Sequence, residues 1–83
     1  MRLARHVKFR EEKFGGVLFE TRSEKVYTLT PTAAAVVQEI AGGRATQEIA
    51  PSLAERYHGA DGAIEREVNA FLAELRDKGL VED

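Results

Sequence analysis

Hydrophobic and polar positions alternate along the first part of the chain and then change period. His6-Val7-Lys8-Phe9-Arg10 sets Val7 and Phe9 on one face and Lys8 and Arg10 on the other, the pattern of a short half-buried strand. Glu11 to Gly15 is expected to turn the chain, with Gly15-Gly16 supplying backbone freedom. Gly16 to Arg22 reads as a second strand, in which Val17, Phe19 and Thr21 share one face and Leu18 is the exception on the other. Arg22-Ser23-Glu24 is polar and short enough for a hairpin turn. Lys25 to Leu29, KVYTL, is rich in β-branched and aromatic types and reads as the third strand. Its period of two turns Tyr27 and Leu29 inward together with Lys25, and sends Val26 and Thr28 outward. Lys25 escapes to water along its stem. Residues 1–5 are expected to fray.

The period changes at Thr30-Pro31. Thr30 can cap the orphan N–H groups of a helix, and Pro31 sits where a missing donor costs nothing. A first helix is predicted over Pro31 to Ala41, with Val36, Val37 and Ile40 buried and Gly42-Gly43 ending it. Thr46 is expected to cap a second helix whose Ile49, Leu53 and Tyr57 share a face. Pro51 falls inside that stretch, where it would remove a backbone bond and crowd the carbonyl of Gln47. The helix therefore bends there or begins near Ala50. Gly59 to Gly62 reads as a loop, and Asp61 as the cap of a third helix running to Lys78. Ile64, Val68, Phe71, Leu72 and Leu75 give that helix the strongest periodic stripe in the chain. Gly79 stops it, and Leu80-Val81 packs the tail back on the core. Three strands with one apolar face need a cover. The expected fold class is α+β: a winged-helix-like domain, a three-stranded antiparallel sheet followed by three helices, the last two resembling a helix-turn-helix pair.

At 83 residues the chain is read as one domain, 1–83, with a small core and no room for a deep enzyme cavity. It has no cysteine, which excludes disulfides and thiolate metal sites and fits a reducing cytoplasm. MRLARHVKFREE has no apolar h-region, so no signal peptide is expected, and no run is long enough to span a bilayer. The net charge of −2 is unevenly spread. Residues 1–30 hold seven Lys/Arg and four Asp/Glu, whereas residues 31–83 hold five and ten. The acidic helical half is a poor partner for phosphates, and the basic strand half could orient an acidic peptide.

Catalysis finds little support. His6 and His58 stand in no metal-ligand pattern and read as surface histidines. Ser23 and Ser52 lack a nucleophile-elbow context, and the paired glycines are turn glycines rather than a phosphate cradle. No catalytic residue, metal site or cofactor is expected. A DNA-binding regulator is the alternative suggested by the helix-turn-helix pattern. The third helix, however, exposes Glu65, Glu67, Glu74 and Asp77 against Arg66, Arg76 and Lys78, when a major-groove helix needs a cationic surface. What remains is the third strand. At a sheet edge it would offer unpaired N–H and C=O groups, onto which a peptide could add as a fourth strand. Six ladder bonds at about 1 kcal/mol each give roughly 6 kcal/mol, and micromolar binding needs about 8, so side-chain pockets must contribute. The bland alternatives are a central strand, an edge closed by the last helix, or an edge that pairs with a second copy.

The ordered set GGVLFETRSEKVYTLTPTAAAVVQEIAGGRATQEIAPSLAERY followed by EREVNAFLAELRDKGLV resembles the PqqD-like family, peptide-recognition elements of ribosomal peptide natural-product pathways. The resemblance runs from about Val7 to Val81. Thr30 stands where the family often has Asn, Glu67 where an Asp is common, and Pro51 is unusual. The resemblance implies a non-catalytic domain that binds the leader of a precursor peptide against the third strand and third helix. It also implies a modifying enzyme as partner, such as a radical-SAM protein, a leader peptidase or a cyclodehydratase. On this reading Lys25, Val26, Tyr27, Thr28 and Leu29 supply the ladder. Glu67, Ala70, Phe71 and Glu74 line the groove, with the opposite flank of Glu65, Asn69, Leu72 and Arg76 as the alternative. Lys25 and Arg22 could meet peptide carboxylates. The expected setting is cytoplasmic, with no nucleic acid and no membrane, as a monomer or dimer.

Overall fold

In the computed structural model, which describes residues 1–57 and 62–82, the elements run β1 (Arg2–Leu3), β2 (Val7–Glu12), β3 (Gly15–Glu20), β4 (Lys25–Leu29), α1 (Pro31–Ala41), α2 (Thr46–Tyr57), α3 (Ala63–Asp77) and β5 (Val81–Glu82). The main sheet is antiparallel in the order β2-β3-β4; α1 packs across it, and α2 and α3 pack on α1 and on each other. The α+β, winged-helix-like expectation therefore holds.

The first hairpin is tighter than its turn residues suggest. Glu12 pairs with Gly15, so Lys13 and Phe14 alone make the turn and β2 runs two residues past Arg10. Gly15 has φ +143°, and a Cβ there would stand 2.6 Å from the carbonyl carbon of Thr30. No other residue fits that backbone against the end of β4.

The inward face of β3 is the reverse of the one expected. Leu18 is fully buried, while Val17 is half-buried and Phe19 is exposed. Register explains this. Phe9, Leu18 and Tyr27 lie directly opposite one another across three strands and so share a face, as do Gly16 and Leu29. A Cβ on Gly16 would come within 3.3 Å of the Ala34 methyl group, so α1 crosses the sheet where the inward position has no side chain. That close approach selects the phase containing Gly16 and Leu18, although Val17 and Phe19 are equally apolar.

The β3–β4 turn is held by Glu20. Its carboxylate accepts from the N–H groups of Arg22 (2.8 Å) and Ser23 (3.0 Å) and from the Ser23 hydroxyl. The Ser23 hydroxyl above all, then these N–H groups and nearby His6, hold its carboxyl below the usual glutamate range, against the opposing effect of burial.

Thr30 caps α1 as expected, its hydroxyl accepting from Ala33 N–H at 3.2 Å, and the helix occupies the predicted span. Its buried face is wider than predicted, because Ala34 and Ala35 join Val36, Val37 and Ile40. In α2, Thr46 is the first helical residue rather than the cap before it, and the Ala45 carbonyl accepts from Glu48 N–H at 2.9 Å. Pro51 sits exposed inside the helix, which begins well before Ala50. Ile49 and Leu53 are buried, but Tyr57 is 41% exposed, with the Arg56 guanidinium over its ring. Glu39 of α1 joins the two helices by accepting from Arg44 (2.6 Å) and Arg56 (3.2 Å).

The stripe of α3 points into the core, with Val68, Leu72 and Leu75 buried and Ile64 and Phe71 packed at its margin. The expected Asp61 cap lies outside the described residues, as do His58 and most of the predicted loop. The helix closes with Gly79 at φ +69°: Leu80 N–H reaches the Leu75 carbonyl and Gly79 N–H that of Arg76, both at 3.0 Å. This turn delivers Leu80 to the core.

Residues 1–5 do not fray. Leu3 pairs with Val81 and Arg2 with Glu82, and the buried Ala4 donates to the Leu80 carbonyl at 3.0 Å. A two-residue strand leaves too short a pattern to be read in sequence.

Replacing Gly15 by Ala combines a left-handed φ with a backbone clash, so G15A is expected to destabilise the fold by about 3 kcal/mol. For a domain of this size that lowers Tm by roughly 10 °C or more, measured by circular dichroism. Because folding depresses the Glu20 pKa, the turn's contribution is present above the ordinary carboxylate range and lost as pH falls through the lowered value. A carboxyl NMR titration is expected to place Glu20 below the usual glutamate range.

Candidate functional site

β4 is an edge strand: β3 lies on one side of it, and among the described residues nothing pairs with the other. Which of its amides are free follows from alternation. Thr21 N–H donates to the His6 carbonyl at 2.8 Å, which marks that pair as hydrogen-bonded. Stepping along the register, Phe19, Val17 and Gly15 then bond to β2, and Leu18 and Gly16 bond to β4. Their partners Tyr27 and Leu29 turn N–H and C=O toward β3. Val26 and Thr28 turn theirs outward. The free edge therefore offers about four ladder bonds rather than six, worth roughly 4 kcal/mol.

Beside this edge lies a cleft of about 360 Å³ between β4, the first turn of α1 and α3. Its floor is apolar, built from Leu18, Leu29, Val36, Val68, Leu75 and Leu80. One wall carries Tyr27, Thr28, Thr30, Thr32 and Ala33. The other is a row on α3, namely Glu67, Ala70, Phe71, Glu74 and Lys78. These positions recur at three or four residues, so one helix flank follows the cleft for about 16 Å. At one end the walls meet, where Lys78 Nζ lies 6.0 Å from the centre of the Tyr27 ring and 3.6 Å from Glu74.

Of the residues singled out in sequence, Tyr27, Thr28, Leu29, Glu67, Ala70, Phe71 and Glu74 come together around this cleft. Val26 contributes main chain to the edge, and its side chain is 59% exposed on the far face of the sheet beside Phe19. Lys25 and Arg22 do not line the cleft. The alternative flank is set aside by packing, since Leu72 is buried in the core and Glu65, Asn69 and Arg76 stand outside the cleft. Thr32, Ala33, Lys78 and Leu80 went unrecognised. A signal for the first two existed: a helix that starts one residue after the strand must set its first turn beside the strand end. Lys78 continues the Glu67, Phe71, Glu74 row, and Leu80 enters through the Gly79 turn.

The cleft-facing groups of α3 are two carboxylates, a methyl, a phenyl ring and one ammonium, a poor surface for a phosphate backbone. Among the described residues, no group of His, Asp and Glu is arranged to hold a metal, and no helix is long and apolar enough to cross a membrane.

The sequence model described as coenzyme PQQ synthesis protein D (PqqD) matches residues 15–81. No curated protein matches the chain. Two solved structures are similar in fold. One is TbiB1 in complex with the TbiA(beta) leader peptide, 21% identical, with a TM-score of 0.85 over 99% of this chain and 95% of that one. The other is a lasso peptide synthetase B1 complexed with the leader peptide, 27% identical, with a TM-score of 0.81 over 99% of this chain and 96% of that one.

Amide exchange followed by NMR is expected to separate the two sides of β4. Tyr27 and Leu29 should be protected by their bonds to β3, and Val26 and Thr28 should exchange much faster. Equal protection at all four positions would mean that the edge is closed.

Proposed function

The chain belongs to the PqqD family, and on that premise we propose that it captures the leader of a ribosomal precursor peptide by strand addition to β4 and presents the rest to a modifying enzyme. The observation that carries the proposal is the pairing of a free strand edge with an adjoining apolar cleft. An edge alone invites any extended chain, whereas a cleft alongside it can read every second side chain of the added strand. The leader as occupant is supported by the two similar structures, each of which holds a leader peptide.

Lys25 to Leu29 form the receiving strand, with Val26 and Thr28 making the main-chain bonds. Tyr27 and Leu29 reach the cleft from the strand side, and Glu67, Ala70, Phe71 and Glu74 face them from α3. The energetics require both parts. Four main-chain bonds give roughly 4 kcal/mol, and micromolar binding needs about 8. The difference corresponds to about 160 Å² of apolar surface, and more once ordering and association are counted. One or two large apolar side chains seated on the cleft floor supply that area.

The role is one of binding and delivery, performed in the cytoplasm without a cofactor of its own. The enzyme served is a radical-SAM protein or a leader peptidase. No observation favours the nucleic-acid reading.

Val26→Pro deletes an outward donor while leaving every bond to β3 in place. Titrated with a candidate precursor leader that the unaltered protein binds, it is expected to lose at least about tenfold in affinity, with Tm nearly unchanged. Unchanged affinity in a folded variant would remove strand addition at this edge.

A further inference from the structure

The charges around the cleft point to a feature of the peptide itself. The cations of the basic half do not reach the cleft: Lys25 and Arg22 lie outside it. The charged groups that line it are Glu67 and Glu74 on α3 and Lys78 at its C-cap. Glu74 is engaged by Lys78 at 3.6 Å, and Lys78 also covers the Tyr27 ring. The Glu67 carboxylate, by contrast, has no hydrogen bond or ion pair among the described residues. The facing wall carries Tyr27, three threonines and Ala33, and no cation of its own. A strand laid in the cleft would therefore bring its side chains past one unengaged carboxylate.

Spacing adds a second constraint. Glu67 and Phe71 are four residues apart on α3, a rise of about 6.0 Å. Residues two apart on an extended strand are about 6.6 Å apart and point to the same side. A peptide strand running along α3 would thus set one inward-facing side chain opposite Glu67 and the next opposite Phe71.

Resting on the peptide reading above, we propose that the segment held in the cleft carries a cationic side chain, Lys or Arg, two positions from a large apolar one, the cation against Glu67 and the apolar group against Phe71 and the cleft floor. The Tyr27–Lys78 contact closes the opposite end, so the cation belongs at the Glu67 end in either strand direction. Glu67 is then a specificity residue that selects against an acidic peptide at this position, although the strand half of the chain is basic.

The test uses three short synthetic peptides of alternating threonine and valine, each with one leucine and, two positions away on the same face, lysine, glutamine or glutamate. Binding is followed by amide shifts in an NMR titration. Shifts at Val26 and Thr28 report strand addition, and the order of affinities reports the charge preference. The lysine peptide is expected to bind about fivefold more tightly than the glutamine peptide, and the glutamate peptide most weakly. Glu67→Gln should erase the order, Glu67→Lys should reverse it, and about 1 M salt should flatten it. Equal binding of all three would overturn the charge preference and leave strand addition standing. Tightest binding of the glutamate peptide would overturn it in favour of Lys25 and Arg22 as the charge readers. If no peptide moved the edge amides, both the preference and the strand-addition reading would fall.

Discussion

Thr30 is the residue on which the arrangement turns. Its main chain ends β4 and its carbonyl and hydroxyl begin α1, accepting from Ala34 N–H at 2.8 Å and Ala33 N–H at 3.2 Å. With one residue between strand and helix, β4 cannot shift without tilting α1, and α1 is anchored by a row of fully buried side chains. Gly15 fixes the same junction from the other side, because its backbone lies against Leu29 and Thr30 too closely for a side chain. The strand is thus held rigidly by one edge and one end while its other edge stays open. A receiving edge must be rigid, since a strand that had to order itself on binding would give back much of the few kcal/mol its bonds supply.

Much of this was readable in the residues, and the misreadings have specific causes. The span of α1, the inward turn of Tyr27 and Leu29 and the α3 stripe all follow from period and caps, which are local signals. The face of β3 was misread because it depends on a non-local fact, the close crossing of α1 over Gly16, and Gly16 leaves no mark in a hydrophobicity pattern. Pro51 looked like a boundary but sits inside α2 on the solvent side, where crowding by the ring meets little resistance from neighbours. The pairing of Leu3 with Val81 joins the two ends of the chain and could not be seen from either alone. The flank of α3 that lines the cleft could be named but not chosen from the sequence. The choice rests on Leu72 being buried, which requires knowing what packs on the other side.

The balance between main chain and side chains sets the character of the site. Two outward-facing residues would by themselves make a weak and nearly sequence-blind contact, because ladder bonds are the same for any peptide. Discrimination would have to come from the cleft, whose floor is leucine and valine and whose walls carry threonines and Tyr27 on one side and Phe71 with a few charges on the other. The exposed Phe19 and Val26 on the opposite face of the sheet lie apart from this cleft, next to the same edge.

The pairing of Arg2–Leu3 with Val81–Glu82 means that the polypeptide enters and leaves this fold side by side. Leu80, one residue before that pair, forms part of the cleft floor, and its carbonyl is held by Ala4. The unit is therefore built like a bead that can be threaded into a longer host chain at a single opening, with little spacer needed on either side.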